Sequence, residues 1–309
     1  MIAVMYQVKR PSRCLRVPIR GLQYNVRCWG EPAPGQAPLV LLHGWMDVAA
    51  SFQFVVDALS DTFVRNRFII APDWRGYGDT DGGGVDNYWF PDYVADLEFL
   101  VDHFSPETPI DLVGHSLGGN VACLYAGIRP ARVTSVVAID AFGLADRPAE
   151  EAPGRYEKWL REQSAEPQWR DYDDWDALAR RLQRQNPRLD GATAAFLARV
   201  LGRARDDGRI VLAADPAHQG INPVLYRRAE AEACWRRVRA PVMWIEPDDI
   251  ALRQQLGLSE ASIAAGKACF ADFREHLIAD AGHNLHHDAP QEVARLIDAF
   301  CLAAEVRDA

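Results

Sequence analysis

The sequence predicts an α/β protein built on a mostly parallel sheet, and three observations carry that expectation. Short apolar runs recur along the chain, at 38–44, 68–73, 110–116, 133–140 and 241–245. Most stay apolar without alternating, as strands buried on both faces of a covered parallel sheet do. Segments of helical periodicity separate them, so strand and helix alternate and crossovers join the strands.

Each element follows from its local pattern. Two alternating runs, 14–19 and 22–29, are split by Gly21 and predict a β-hairpin. The loop 31–38 leads into the strand 38–44, and a helix is expected over 50–59. After the strand 68–73 the stretch WRGYGDTDGGGVDN suits neither helix nor strand. A helix over 91–104 places Tyr93, Leu97 and Leu100 on one face. The strand 110–116 runs without a break into the small-residue helix LGGNVACLYAGI, which stops before Pro130.

Beyond the strand 133–140 the alternation ceases. Residues 144–235 are rich in Arg, Asp, Ala and aromatics at helical spacing and hold no convincing buried strand. They predict a helical insertion between core segments 1–143 and 236–309. The sheet resumes at 241–245, followed by a helix across 251–270, a strand near 273–279 and a closing helix from Pro290. Asp288 and Gln291 fit the N-cap and N3 positions of that last helix.

Composition narrows the function classes. A chain of 309 residues that is 49% hydrophobic and 25% charged is an ordinary soluble globular protein, with a core that needs no disulfide or metal staple. Its net charge of −9 opposes phosphate binding and so excludes nucleic acid as a general partner. The six cysteines (14, 28, 123, 234, 269, 301) form no CxxC pair, as expected of reduced thiols in a cytoplasm. The start, MIAVMYQVKRPSR, reverses the order of a signal peptide, and no apolar run reaches the length of a membrane span. The expected partners are a small-molecule substrate and at most a second copy of the chain, with no membrane and no metal or organic cofactor.

The strongest chemical signal is Gly114-His115-Ser116-Leu117-Gly118, a G-x-S-x-G placed between a strand and a helix. A serine on so sharp a turn needs neighbours without side chains, and the helix behind it points free N–H groups at a developing oxyanion. Serine needs a base. His283, in Asp280-Ala281-Gly282-His283 after the last strand, is the candidate. His286 and His287 share its loop; without a third ligand at suitable spacing they read as solvated residues or a pocket wall. His115 is expected to pack beside the nucleophile and His43 to shape a loop. The loop His43-Gly44-Trp45-Met46-Asp47 supplies the second oxyanion donor, so the backbone amides of Trp45 and Leu117 are the assigned pair.

HGWMD, APDWRGYGDT, GHSLGG and DAGHNLHH occur in the order and contexts of the α/β-hydrolase superfamily, which the chain resembles over nearly its whole length. HGWMDVAASF resembles the serine hydrolase-like branch, and the insertion 144–235 looks like that family's cap. The resemblance implies a mainly parallel eight-stranded sheet with helices on both faces. It also implies a structural turn at Asp73, Arg75, Gly76 and Gly78.

The triad acid departs from the commonest pattern, an acid three residues after a glycine beyond the penultimate strand. Pro247 stands where that glycine is expected and Ile250 where the acid should be, although a small shift would bring in Asp248 or Asp249. Other branches place the acid after the strand that follows the nucleophile helix, and Asp140 stands there. Asp140 is preferred, because an aspartate closing an apolar run needs a partner such as a histidine N–H. The insertion carries Tyr156, Trp159, Trp169, Tyr172, Trp175, Phe196, Tyr226 and Trp235, most of which should pack it onto the sheet domain.

The expected function is hydrolysis of a small or medium apolar carboxylic ester or thioester through an acyl-enzyme. A serine in place of an aspartate nucleophile disfavours epoxide hydrolase and dehalogenase chemistry. Two alternatives stand beside it: carbon–carbon bond hydrolysis of a ring-cleavage diketone, and ligand binding on the same fold without catalysis.

Overall fold

In the computed structural model, which describes residues 5–33, 35–65, 67–85, 87–164 and 167–308, the chain opens with β1 (Arg13–Ile19) and β2 (Leu22–Trp29). They form the expected hairpin, turning at Gly21 with φ 83°. Then come β3 (Leu39–Leu42), α1 (Gln53–Ala58), α2 (Asp61–Val64), β4 (Ile69–Pro72), α3 (Phe90–Phe104), β5 (Ile110–His115), α4 (Leu117–Ile128) and β6 (Val133–Ile139). Residues 144–235, between β6 and β9, hold α5 (Ala152–Glu162), α6 (Trp175–Gln185), α7 (Gly191–Leu201), β7 (Gly202–Ala204), β8 (Ile210–Leu212) and α8 (Arg228–Trp235). β9 (Val242–Pro247), α9 (Ala251–Gln255), α10 (Glu260–Lys267), β10 (Phe273–Ile278), α11 (Leu285–Asp288) and α12 (Pro290–Asp308) complete the chain.

Eight strands form one sheet in the order β1-β2-β4-β3-β5-β6-β9-β10. β2 is antiparallel to β1 and β4, and the other pairs are parallel. The continuous apolar runs divide their side chains between two cores, as a period of two requires. Val40, Ile70, Leu112, Val136 and Trp244 pack on one face against Leu97 of α3, Val121 and Tyr125 of α4 and Trp235 of α8. Leu41, Ile69, Val113, Val137 and Met243 pack on the other against Val55 of α1 and Val293, Ile297 and Phe300 of α12.

Three expectations are corrected. Residues 251–270 form two helices, broken around Gly257 at φ 68°. Trp169 and Tyr172 are not helical: Tyr172 makes a β-bridge with Ile210, and α6 starts only at Trp175, so their spacing of three was not a helix face. The insertion also contains the β7–β8 antiparallel pair, too short for its apolar pattern to register in the sequence.

The insertion is fastened at its ends and along its seam. The buried Arg228 guanidinium donates to the carbonyls of Phe142 (3.0 Å), Leu144 (3.2 Å) and Ser262 (2.8 Å), tying both ends together. The His218 ring is stacked between Tyr77 and Tyr88, with centroids 3.8 and 3.6 Å away. Burial pushes the His218 pKa down to about 4. An unfolded histidine titrates near ~6.5, so the unfolded chain binds the proton first and acid destabilises the fold. The contribution is complete above pH ~6.5, is lost as pH falls towards 4, and amounts to roughly 3 kcal/mol. Tm should therefore drop between pH 7.5 and 4.5, and His218→Gln should flatten that slope; equal slopes in both chains would contradict this role.

Candidate active site

The loops that follow β3, β5, β6 and β10 meet at the carboxyl edge of the sheet, where open α/β folds place their ligands. Backbone strain collects there. Among the described residues, five non-glycines have positive φ: Arg20, Met46, Ser116, Asp140 and Asp280. Four of these five lie on the four loops named, a concentration typical of functional sites.

Ser116 sits between β5 and α4 at φ 50°, ψ −113°, and its N–H donates to the Ile139 carbonyl at 2.9 Å. Its tight turn explains the glycines around it. A Cβ on Gly114 would strike the backbone of Gly118 and Gly119, and one on Gly118 would strike the Leu42 carbonyl of β3. Gly44 lies directly over the serine: a Cβ there would fall 3.2 Å from Ser116 Cβ and 2.7 Å from His115 Nδ1. Among the described residues neither the Trp45 nor the Leu117 amide donates to a backbone or side-chain acceptor, which leaves both free for a ligand.

His283 follows β10, and its Nδ1 lies 2.6 Å from Asp140 Oδ2. Asp140 is 3% exposed and ends β6 at φ 44°, its N–H donating to the Ile245 carbonyl at 2.8 Å. That bond and the strained φ turn the carboxylate out of the sheet edge. The alternative acids are engaged elsewhere. Asp248 Oδ2 accepts the Asp280 N–H at 3.0 Å, and Asp249 Oδ1 accepts the Ala251 N–H at 3.0 Å at the start of α9.

The other histidines brace this arrangement. His115 Nε2 donates to the His283 carbonyl at 2.8 Å, strapping the serine turn to the histidine loop. Burial, reinforced by His286 and His283, pushes the His115 pKa well below the usual histidine value, so the ring is neutral. His43 Nε2 accepts the Trp74 N–H at 2.8 Å, which leaves Nδ1–H to donate to the Gly44 carbonyl at 2.8 Å and shape the loop. Asp73 holds the neighbouring turn by accepting from Ala49 N (2.8 Å), Asn25 Nδ2 (2.8 Å) and Asp79 N (3.1 Å). Arg75 forms a buried pair with Asp96, 2.5 Å from Nε to Oδ2. Gly76 and Gly78 turn the chain there at φ 70° and 54°.

Two sequence readings fail here. Asp288 is not an N-cap of the closing helix; it accepts from Gly282 N at 2.9 Å and Asn186 Nδ2 at 2.6 Å, joining the histidine loop to the insertion. His286 is not solvated: it is fully buried, with Nε2 3.1 Å from Asp47 Oδ2. The third group that spacing failed to supply is Asp47, which lies 239 residues earlier in the chain. Burial opposes ionisation of Asp47, but the hydrogen bond and charge of His286 outweigh it and hold the carboxyl below its usual range. The sequence signal was an acid set between Met46 and the buried Val48-Ala49-Ala50.

The aromatics of the insertion divide in the same way. Tyr172 and Phe196 pack around Phe54 of α1, and Trp235 joins Trp244 and Phe270 in the main core. Tyr156 is exposed, and Trp159 and Trp169 are half-buried. No described helix is long and apolar enough to cross a membrane.

Residues 37–290 match the family described as alpha/beta hydrolase fold. The chain is 33% identical over 138 residues to a serine hydrolase-like protein of Danio rerio, covering 44% of this chain and 40% of that one. It thus spans well under half the length of that relative. A serine hydrolase-like protein of Dictyostelium discoideum is 22% identical over 273 residues, covering 86% of this chain and 75% of the other. In fold the chain is similar to the thioesterase domain from the curacin biosynthetic pathway, with TM-score 0.79 and 22% identity over 93% of this chain and 99% of that one. The chain belongs to the α/β-hydrolase fold family.

Proposed function

We propose that the protein is a serine hydrolase that cleaves small or medium apolar carboxylic esters or thioesters through an acyl-enzyme. The observation that carries this reading is the 2.6 Å contact of His283 Nδ1 with Asp140 Oδ2, on a loop strapped to the Ser116 turn. Ser116 Oγ attacks the substrate carbonyl while His283 Nε2 takes its proton. Asp140 keeps the proton on Nδ1 and stabilises the imidazolium as it forms. The Trp45 and Leu117 amides receive the oxyanion, and the dipole of α4 adds to their field. The imidazolium then protonates the leaving alcohol or thiol. Water, deprotonated by His283, attacks the acyl-enzyme and releases the acid. The six free thiols support a reducing compartment such as the cytoplasm.

An exposed apolar side chain beside the site supports an apolar substrate: Trp45, which follows the Gly44 that lies over Ser116, is 59% exposed. A panel of p-nitrophenyl acetate, butyrate, octanoate and hemisuccinate tests this. The neutral butyrate should exceed the anionic hemisuccinate in kcat/KM by at least about tenfold. A preference for the charged acyl group would overturn the apolar assignment.

A further inference from the structure

We propose that Asp47, His286 and His287 form a binding site for a divalent first-row transition ion such as Zn2+, joining the loop after β3 to the loop after β10. One donor atom from each of the three residues lies within 4.8 Å of the others. The 3.1 Å between Asp47 Oδ2 and His286 Nε2 is close to the edge of a metal polyhedron, since two ligands at ~2.0 Å from tetrahedral Zn2+ lie roughly 3.3 Å apart. Two imidazoles and one carboxylate are a borderline donor set that suits Zn2+, Co2+ or Ni2+ better than Mg2+ or Ca2+.

His287 is the observation that the Asp47–His286 pair alone leaves unexplained. Its Nε2 is sealed from solvent and has no hydrogen-bond partner among the described residues. Its ring centroid lies 3.8 Å from that of His286. A buried ring nitrogen without a partner is costly unless a water or an ion meets it. Asp47 is already oriented for ligation, because Oδ1 accepts the Val48 N–H at 2.9 Å and Oδ2 accepts the Ser51 hydroxyl at 2.8 Å. On binding, the ion takes the place of the proton between His286 and Asp47, and His286 ligates as a neutral imidazole with its remaining proton on Nδ1. His115 stands between this site and His283, its ring centroid 4.2 Å from that of His286 and 4.6 Å from that of His283. The ion would therefore fasten the oxyanion loop to the histidine loop without occupying the Ser116 site.

Isothermal titration of the chelator-treated full chain with ZnCl2 tests the proposal. One ion per chain is expected with Kd of about 10 μM or tighter, accompanied by a rise in Tm. His287→Gln, at a partly exposed position, should fold as judged by circular dichroism and weaken binding by at least about tenfold. Asp47→Asn is the second ligand variant and should do the same. His283→Gln should bind as the wild type does. Titration with Co2+ should give visible bands of a low-coordinate site in the wild type and not in His287→Gln. No binding at 100 μM Zn2+, undiminished binding in both ligand variants, or loss of binding in His283→Gln would overturn the proposal, the last by placing the ion on the His283–Asp140 pair.

Discussion

Asp140→Asn is expected to lower kcat on a neutral ester by about four orders of magnitude with little change in KM. The amide would sit where the carboxylate now lies 2.6 Å from His283 Nδ1 and would donate to that nitrogen instead of accepting from it. The imidazole would then carry its proton on Nε2 and be unable to take one from Ser116. Asp140 is buried and bonded through its own N–H, so the isosteric change should leave the loop in place. Asp248→Asn is the paired measurement. Among the described residues the Asp248 carboxylate accepts only the Asp280 N–H, at 3.0 Å, and its loss should change kcat less than about threefold. A large loss in Asp248→Asn with a small one in Asp140→Asn would reverse the assignment.

Gly118→Ala is expected to have the largest effect on the fold of any single methyl group added near the site. The new Cβ would overlap the Leu42 carbonyl and come within 2.8 Å of the His43 carbonyl oxygen, both of them backbone. No rotamer relieves a backbone clash, so either the end of β3, which leads into the Trp45 loop, or the start of α4, which holds Leu117, must shift, and these two amides are the proposed oxyanion donors. Overpacking of this kind costs roughly 3 kcal/mol or more, and the displaced amides should cost a further factor of about a hundred in kcat. Gly154→Ala is the control, because a Cβ there has nothing within 4 Å and the residue lies within α5. It should be neutral or stabilise by up to ~1 kcal/mol. Urea midpoints and kcat for both chains check the pair. A Gly118→Ala chain as stable and active as the wild type would mean that the close approach of α4 to β3 is not needed.

The order of strands and helices was legible because a buried parallel strand writes an unbroken apolar run, and β3, β4, β5, β6 and β9 all do so. The positions of Ser116 at a strand-to-helix turn and of His283 after the last strand were legible because their local sequence is tied to a turn: glycine on both sides of the serine, and Ala281-Gly282 before the histidine. What the sequence concealed is contact between distant loops. Asp47 and His286 are 239 residues apart, and nothing in either segment states that the loop after β3 folds against α11. Asp288 was misread for the same reason, since its position before Pro290 resembles a cap while its carboxylate reaches Gly282 and Asn186. Within the insertion, Trp169, Tyr172 and Trp175 are spaced like a helix face, but the chain is irregular until α6. There the bridge between Tyr172 and Ile210 overrides the local pattern.

Intact-mass analysis after exposure to a fluorophosphonate is the most direct test of whether Ser116 is an activated nucleophile, because it needs no knowledge of the substrate. One covalent adduct per chain is predicted for the wild type and none for Ser116→Ala, with sharply slowed labelling in Asp140→Asn. An adduct that persists in Ser116→Ala, or a wild-type chain that stays unlabelled even by a small sulfonyl fluoride, would contradict the serine mechanism.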